Sequence, residues 1–522
     1  MKCFFNKIAI SIWLLLLTLG IFTLNLGIVE AGDPSGAATF SDSIEGLKYS
    51  INFIWVLLAA CLVFSMQAGF AFLGGFLRQK NMLSYLGHCL IDSTFGAVVF
   101  WFFGFALMFG GSKLAPGLEN GNSWIGCDGF MLMGKSYDVQ TILLWFFQMV
   151  FATKTVSIIA GAVAERLKFG AYLTYSFLMC GLIYPIYGHW VWGGGWLSTL
   201  PIGSGVKDFA GCACVHTIGG IMAFVGAWVL GPRKGKYNPD GSPNPIPGHN
   251  MVFVVIGTLI LAFGWFGFNA GSTLAATDLR ISVIATNTFI AAAAGATVML
   301  FLTWAMTGYI DVAYICNGAL AGLVAITAPC AYVAPWAAAV IGLLAGLIMR
   351  GAVWLVEVKM KVDDPLGAVA VHAANGMWGM LAVGVFADGT YGGVSGIITG
   401  SGWQLLAQFI GTIVALAWAF AWGAGVFFVI RYHTGLRVSD LVESDGMDTH
   451  IHGSHCYPVE QKFIAAVVGE GEIDLKAEKE QLSLLETAMS KDASREKIYS
   501  DKLGRWVYAT AKTEKTGKGR GK

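Results

Sequence analysis

The chain has 522 residues, 56% of them hydrophobic and only 12% charged, with 68 glycines and a formal net charge of +1. A soluble domain carries roughly a quarter of its residues charged, so a water-soluble globular protein is excluded and a polytopic membrane protein is expected. The near-neutral balance and the lack of a basic, aromatic-rich patch give no reason to expect a nucleic-acid partner.

In chain order, Lys2 and Lys7 flank the start of an apolar run over 8–28, and Val29-Glu30-Ala31 offers small residues for cleavage before Gly32. Residues 1–31 read as a signal peptide, with an uncleaved anchor as the alternative because the apolar run is long. A membrane domain over 32–456 follows. Its apolar stretches predict eleven transmembrane helices, near 51–77, 84–110, 141–165, 170–190, 209–230, 251–276, 281–306, 310–328, 333–356, 365–386 and 402–431. The eighth is weak, being rich in Gly and Ala. Residues 457–522 are charged with alternating sign and contain no long apolar run. They read as a cytoplasmic tail, part helical and part disordered.

Basic residues orient the chain. Arg78, Lys80, Arg166, Lys168, Arg233, Lys234, Lys236, Arg350, Lys359 and Lys361 fall in alternate loops, and Arg431 and Arg437 begin the tail. The other loops hold only Lys113, Lys135, Lys207 and Arg280. The positive-inside rule then puts the mature N-terminus outside and the C-terminus in the cytoplasm. The expected location is a cell membrane, the inner membrane of a bacterium, crossed many times. The ten cysteines show no regular spacing and read as small hydrophobes, not as a disulfide framework.

Within the fifth and tenth spans a thirteen-residue pattern occurs twice, D-x-x-G-x-x-x-V-H-x-x-x-G. Asp208, Gly211, Val215, His216 and Gly220 fill the first copy; Asp364, Gly367, Val371, His372 and Gly376 fill the second. As continuous helix, each histidine would sit ~12 Å from its aspartate, near the middle of the bilayer. A single histidine on an apolar helix is ordinarily a satisfied core residue. Two in matching places of two halves point to an inverted five-plus-five repeat with a site near the midplane. Lys154 and Asp92 are the other charged residues well inside the spans, and the cost of an unpaired ion there predicts that they approach each other.

Several segments match one family residue by residue: Ala160-Gly161-Ala162-Val163-Ala164-Glu165-Arg166, His189-Trp190-Val191-Trp192-Gly193-Gly194-Gly195, Gly264-Trp265-Phe266-Gly267-Phe268-Asn269-Ala270-Gly271-Ser272, Val362-Asp363-Asp364-Pro365 and Gly435-Leu436-Arg437-Val438. From about residue 50 to 457 the chain resembles the ammonium transporter (Amt/Rh) family. The resemblance implies a homotrimer of eleven-helix subunits with one pore each, no enzymatic activity and no cofactor or metal. It implies an outer ammonium-binding site of Trp192, Phe151 and Ser272, shaped from behind by Asp208. Phe151 and Phe268 would form a gate, with Phe147 flanking the entrance. Trp265 would line a twin-histidine pore at His216 and His372. Expected partners are ammonium or ammonia, membrane lipid, and a cytoplasmic nitrogen-regulatory signal protein at the tail. The chain departs from the pattern at Gly367, where many members carry aspartate, at Val369-Ala370 in place of Phe-Gly, and at Lys154.

The cation chemistry is coherent with this set. A small cation gains ~0.5–2 kcal/mol over each aromatic face. Only ammonium, unlike potassium, can shed a proton and cross an apolar pore as a neutral molecule, and histidine can accept that proton. Two other functions fit parts of the sequence: an ammonium sensor signalling through the tail with little flux, and a redox protein with haem between the histidines. The residues His450, His452, His455 and Cys456 have metal-ligand types, but only His452-Gly453 and Tyr457 fit the family's tail pattern.

Overall fold

The computed structural model describes residues 32–41 and 43–457, together with two short strands in the tail. The expected signal peptide and the rest of the tail lie outside the described residues. Among the described residues ten helices are long and apolar enough to cross a membrane. We number them in chain order with one shorter helix: α1 Ile44–Phe76, α2 Gln79–Phe109, α3 Val139–Val163, α4 Phe169–Val191, α5 Cys212–Leu230, α6 Met251–Thr273, α7 Ile281–Thr307, α8 Val312–Ile326, α9 Pro335–Lys359, α10 Val369–Phe386 and α11 Trp403–His433. The weak eighth stretch is α8, 15 residues long and short of the ~20 that a straight crossing needs.

Local signals set the helix ends. Asp138, Asn250 and Asp311 accept hydrogen bonds from the first-turn N–H groups of α3, α6 and α8, which otherwise have no helical partner. Pro335 opens α9, where its fixed φ suits a first turn. Gly231, at φ +82°, stops α5.

Packing follows small residues. α1 lies along α6, where a Cβ on Gly267 would come within 2.6 Å of the Ala59 carbonyl. Close backbone approach of this kind is how helices associate where lipid removes the hydrophobic drive. α7, α8 and α9 pack on one another, and α5 is held between α3 and α11.

The two motif-bearing helices run antiparallel. Asp363, just ahead of α10, receives Arg233 Nε at 2.8 Å, and Arg233 lies just past the end of α5. The start of one helix therefore sits at the end of the other, the inverted relation expected from the repeat. Around this contact lies a buried charge cluster. Arg233 Nη1 reaches Glu165 Oε2 at 2.7 Å, Arg78 Nε reaches Glu165 Oε1 at 3.0 Å, and Arg166 Nη2 donates to the Asp363 carbonyl at 2.8 Å. Burial pushes the Glu165 and Asp363 carboxyls up, but the neighbouring guanidinium groups outweigh it and hold both below the usual range.

A short helix, α12 (Asp440–Asp445), docks the tail on the same face. Glu443 in it accepts from Arg437 Nη2 at 2.7 Å. Further on, the tail has two antiparallel strands, β1 (Lys497–Ser500) and β2 (Arg505–Tyr508), in a tail expected to be part helical and part disordered. Both are rich in β-branched or aromatic residues, which favour an extended backbone.

Candidate functional site

Each motif copy is a device for starting a helix in the middle of the protein. Asp208 Oδ1 accepts the N–H groups of Gly211 and Cys212, and Oδ2 those of Ala213 and Cys214, at 2.7–3.0 Å. Asp364 accepts the N–H groups of Ala368 and Val369 at 2.9 and 2.7 Å. The first glycine of each copy takes a left-handed turn, φ +120° at Gly211 and +75° at Gly367, which a side chain disfavours. At Gly367 a Cβ would also sit 3.0 Å from Asn317 Nδ2.

The segment from aspartate to histidine is thus a turn followed by helix, not one continuous helix. The ~12 Å rise expected from helical geometry does not apply, because the backbone first folds over the carboxylate. Both histidines fall in a widened π-type turn, 212–217 in α5 and 369–374 in α10, a feature often found where a helix carries function. The last glycine of each copy lets the helices cross. A Cβ on Gly376 would lie 2.6 Å from the Cys212 carbonyl, and one on Gly220 would overlap the backbone of Ala373.

The crossing brings the rings together. His216 Nδ1 and His372 Nδ1 are 3.1 Å apart, with centroids 5.1 Å apart and planes 18° apart. One nitrogen must donate and the other accept, so a single proton occupies the contact. His216 also stacks on Trp265 at 5.2 Å and lies 5.5 Å from Phe268. Trp265 is fixed by its Nε1, which donates to Thr327 Oγ1 at 3.0 Å. His216 Nε2 is buried and makes no hydrogen bond among the described residues.

On one side of the histidines the aromatic residues close the path. Phe151 and Phe268 stack at 4.2 Å, and both are buried. Phe147 lies 4.8 Å from Phe151. Trp192, partly exposed, meets Phe151 edge-on at 6.3 Å. Its Nε1 donates to the Asp208 carbonyl at 2.7 Å, which fixes the indole beside the gate. Ser272 is also partly exposed, and its hydroxyl donates to the Phe268 carbonyl at 2.8 Å, leaving oxygen lone pairs free. The Asp208 carboxylate is only 4% exposed and is occupied by four N–H groups. The carboxylate holds the backbone of the turn, while the Asp208 carbonyl holds Trp192. On the other side a small cavity opens, lined by His372, Phe70, Ser157, Ile158, Asn317 and Leu320 among others.

Lys154 and Asp92 come close, but their link is indirect. Lys154 Nζ donates to Gln67 Oε1 at 2.6 Å, Gln67 Nε2 donates to Ser157 Oγ at 3.0 Å, and Ser157 Oγ donates to Asp92 Oδ2 at 2.7 Å. The sequence pointed to the two charges and missed the polar relay, because Gln67 and Ser157 sit unmarked in apolar runs. No group of three or more possible metal ligands occurs among the described residues, and His450 instead contacts Asp445 at 3.2 Å.

The chain is similar to known proteins over most of its length. The sequence profile of the Ammonium Transporter Family matches residues 54–457. The chain is 47% identical over 440 residues to the ammonium transporter Amt2 of Archaeoglobus fulgidus, covering 82% of this chain and 92% of that protein. It is 37% identical to ammonium transporter 1 member 3 of Solanum lycopersicum, covering 82% and 96%. Among solved structures, a sensor Amt protein is 37% identical with a TM-score of 0.72, covering 78% of this chain and 100% of that one. Candida albicans Mep2 is 28% identical with a TM-score of 0.66, covering 75% and 87%. By the span of the profile and the identity to these relatives, the chain belongs to the ammonium transporter family.

Proposed function

We propose that this protein carries ammonium across the membrane by deprotonating it and conducting ammonia through the path between α3, α5, α6 and α10. Ammonium is captured between Trp192, Phe151 and Ser272, where aromatic faces and a hydroxyl oxygen replace part of its water. The stacked Phe151 and Phe268 rings must part to admit it, and an apolar gate penalises any ion that keeps its charge. Beyond them ammonium gives one proton to an imidazole nitrogen of the His216–His372 pair and continues as ammonia. The pair hands the proton on toward the cavity below His372, so charge crosses although the pore passes a neutral molecule.

The 3.1 Å contact between the two Nδ1 atoms directly behind the phenyl gate carries this reading. A potassium site would need a ring of oxygens in their place. The same reading includes a homotrimer with the membrane domain at 32–456, the N-terminus outside and the tail from 457 in the cytoplasm, open to a nitrogen-regulatory partner. It has no enzymatic step.

The test is an ammonium concentration jump applied to proteoliposomes. A transient current, absent with potassium and with His216→Ala, is expected. A second reading, ammonium sensing with little flux, draws on the similarity to the sensor Amt protein, which covers 78% of this chain. It would show saturable ammonium binding with no current and no ammonia entry.

A further inference from the structure

The charged groups inside the membrane segments take no part in the pathway above, yet they touch its wall. Lys154 on α3 and Asp92 on α2 are 1% and 0% exposed. Lys154 stands one helical turn after Phe151. The chain of hydrogen bonds from Lys154 through Gln67 and Ser157 ends on Asp92 Oδ2. The Tyr172 hydroxyl of α4 closes on Asp92 Oδ1. Ser157 also lines the cavity under His372, so among these residues it is the one that borders both that cavity and the carboxylate.

A network serving only to tie α1, α2, α3 and α4 together needs one fixed set of donors. This one has matched settings for two protonation states of Asp92. Tyr172 has a single hydroxyl hydrogen and two acceptors within reach, Asp92 and the His88 carbonyl at 2.6 Å. With Asp92 ionised, Tyr172 donates to it. With Asp92 protonated at Oδ2, the acid donates to Ser157 Oγ, Ser157 turns its own hydrogen to the Thr153 carbonyl at 3.2 Å, and Tyr172 has Oδ1 or the His88 carbonyl as acceptor. No polar group is stranded in either state. The Lys154 ammonium offsets the carboxylate's charge while the site is empty of a proton.

We propose that Ser157 and Asp92 form a proton-holding branch off the pore, on the cavity side of the histidine pair. A proton arriving in the cavity adds to Ser157 Oγ as Ser157's own hydrogen passes to Asp92 Oδ2. One O–H bond forms and one breaks at serine, and the carboxylate becomes a carboxylic acid. The reverse transfer returns the proton to the cavity after ammonia has left, which keeps the two products from recombining beneath the gate. The inference rests on the transport reading above.

The test uses the full chain in proteoliposomes, with current after an ammonium jump recorded in H2O and in D2O, and total ammonia entry read from uptake of isotope-labelled ammonium. Ser157→Ala removes the link and leaves Asp92, Lys154 and Gln67 in place, so it decides if Asp92→Asn fails to fold. Ser157→Ala is expected to lower the current at least tenfold with ammonia entry falling much less, to change the H2O/D2O current ratio, and to be rescued by Ser157→Thr. Asp92→Asn, where folded, should behave as Ser157→Ala does. Undiminished current in Ser157→Ala, or equal loss of current and ammonia entry, overturns the inference while wild-type current stands. Ammonia entry without current in the wild type also overturns it. Absence of any ammonium-dependent flux in the wild type instead removes the transport reading, and the inference with it.

Discussion

The two copies of the motif do the same work with unequal strength. At α5 the Asp208 carboxylate takes four N–H groups, and its backbone carbonyl also holds Trp192. At α10 the Asp364 carboxylate takes two, and its histidine borders an open cavity instead of a stacked gate. Burial, with Glu357 nearby, pushes the Asp364 carboxyl up to about 7. Identical sequence patterns therefore build a rigid end beside the aromatic residues and a looser one beside the cavity. The copies share the aspartate-capped turn, the glycine crossing and the histidine contact, and they differ in what each end faces.

The largest effect should come from breaking the shared part. Gly220→Ala and Gly376→Ala each place a methyl group against backbone of the opposite helix, which cannot swing aside. Both should lose most folded protein or, where folded, all ammonium current. Normal yield with wild-type current in either variant would show that the helices do not need this approach.

Next comes the contact itself. His216→Ala and His372→Ala should each lower ammonium current at least tenfold, since one ring alone cannot share a proton. Potassium current should be measured alongside, because removing a ring widens the path and admits water. Full current with selectivity intact in both variants would refute the relay.

The comparison between copies is sharpened by the aspartates. Asp208→Asn removes acceptors for more N–H groups than Asp364→Asn does. For full removal of the cap, in Asp208→Ala and Asp364→Ala, the helix-cap scale predicts a loss of about 2 kcal/mol for the first and about 1 for the second. Thermal unfolding of the two purified variants should rank them in that order, and the reverse order would contradict the account of the rigid end.

A smaller and more general effect is expected with acid. Glu165 and Asp363 have folded pKa values below their ordinary ones. Their contribution is present above the ordinary carboxylate range and is lost as pH falls through the folded values. The contribution of these two groups should hold near neutrality and decline below about pH 4. Arg233→Met should already be destabilised at neutral pH and show less further loss in acid. An unchanged acid profile in that variant would remove the cluster from the explanation.

The smallest effect should be at the entrance. Ser272→Ala deletes one hydroxyl acceptor, worth about 1 kcal/mol, and should raise the half-saturating ammonium concentration about fivefold with little change in maximal current.

Much of this was legible in the chain. Apolar runs of twenty or more residues can only be membrane helices, because the backbone must satisfy itself in lipid. A repeated D-x-x-G-x-x-x-V-H-x-x-x-G marks paired sites because chance does not duplicate an ionisable residue in hydrocarbon. Tertiary structure alone decided the rest. Whether the aspartate-to-histidine segment is helix or turn depends on where Asp208 finds its N–H partners. Gly220 and Gly376 look like ordinary helix weakeners until the opposite helix is laid across them. Gln67 and Ser157 carry no signal in their own segments, and gain meaning only from the distance to Lys154, Asp92 and the cavity. Sequence period reports which residues prefer to leave water. It is silent about which neighbour each one meets, since that is set by helices far apart in the chain.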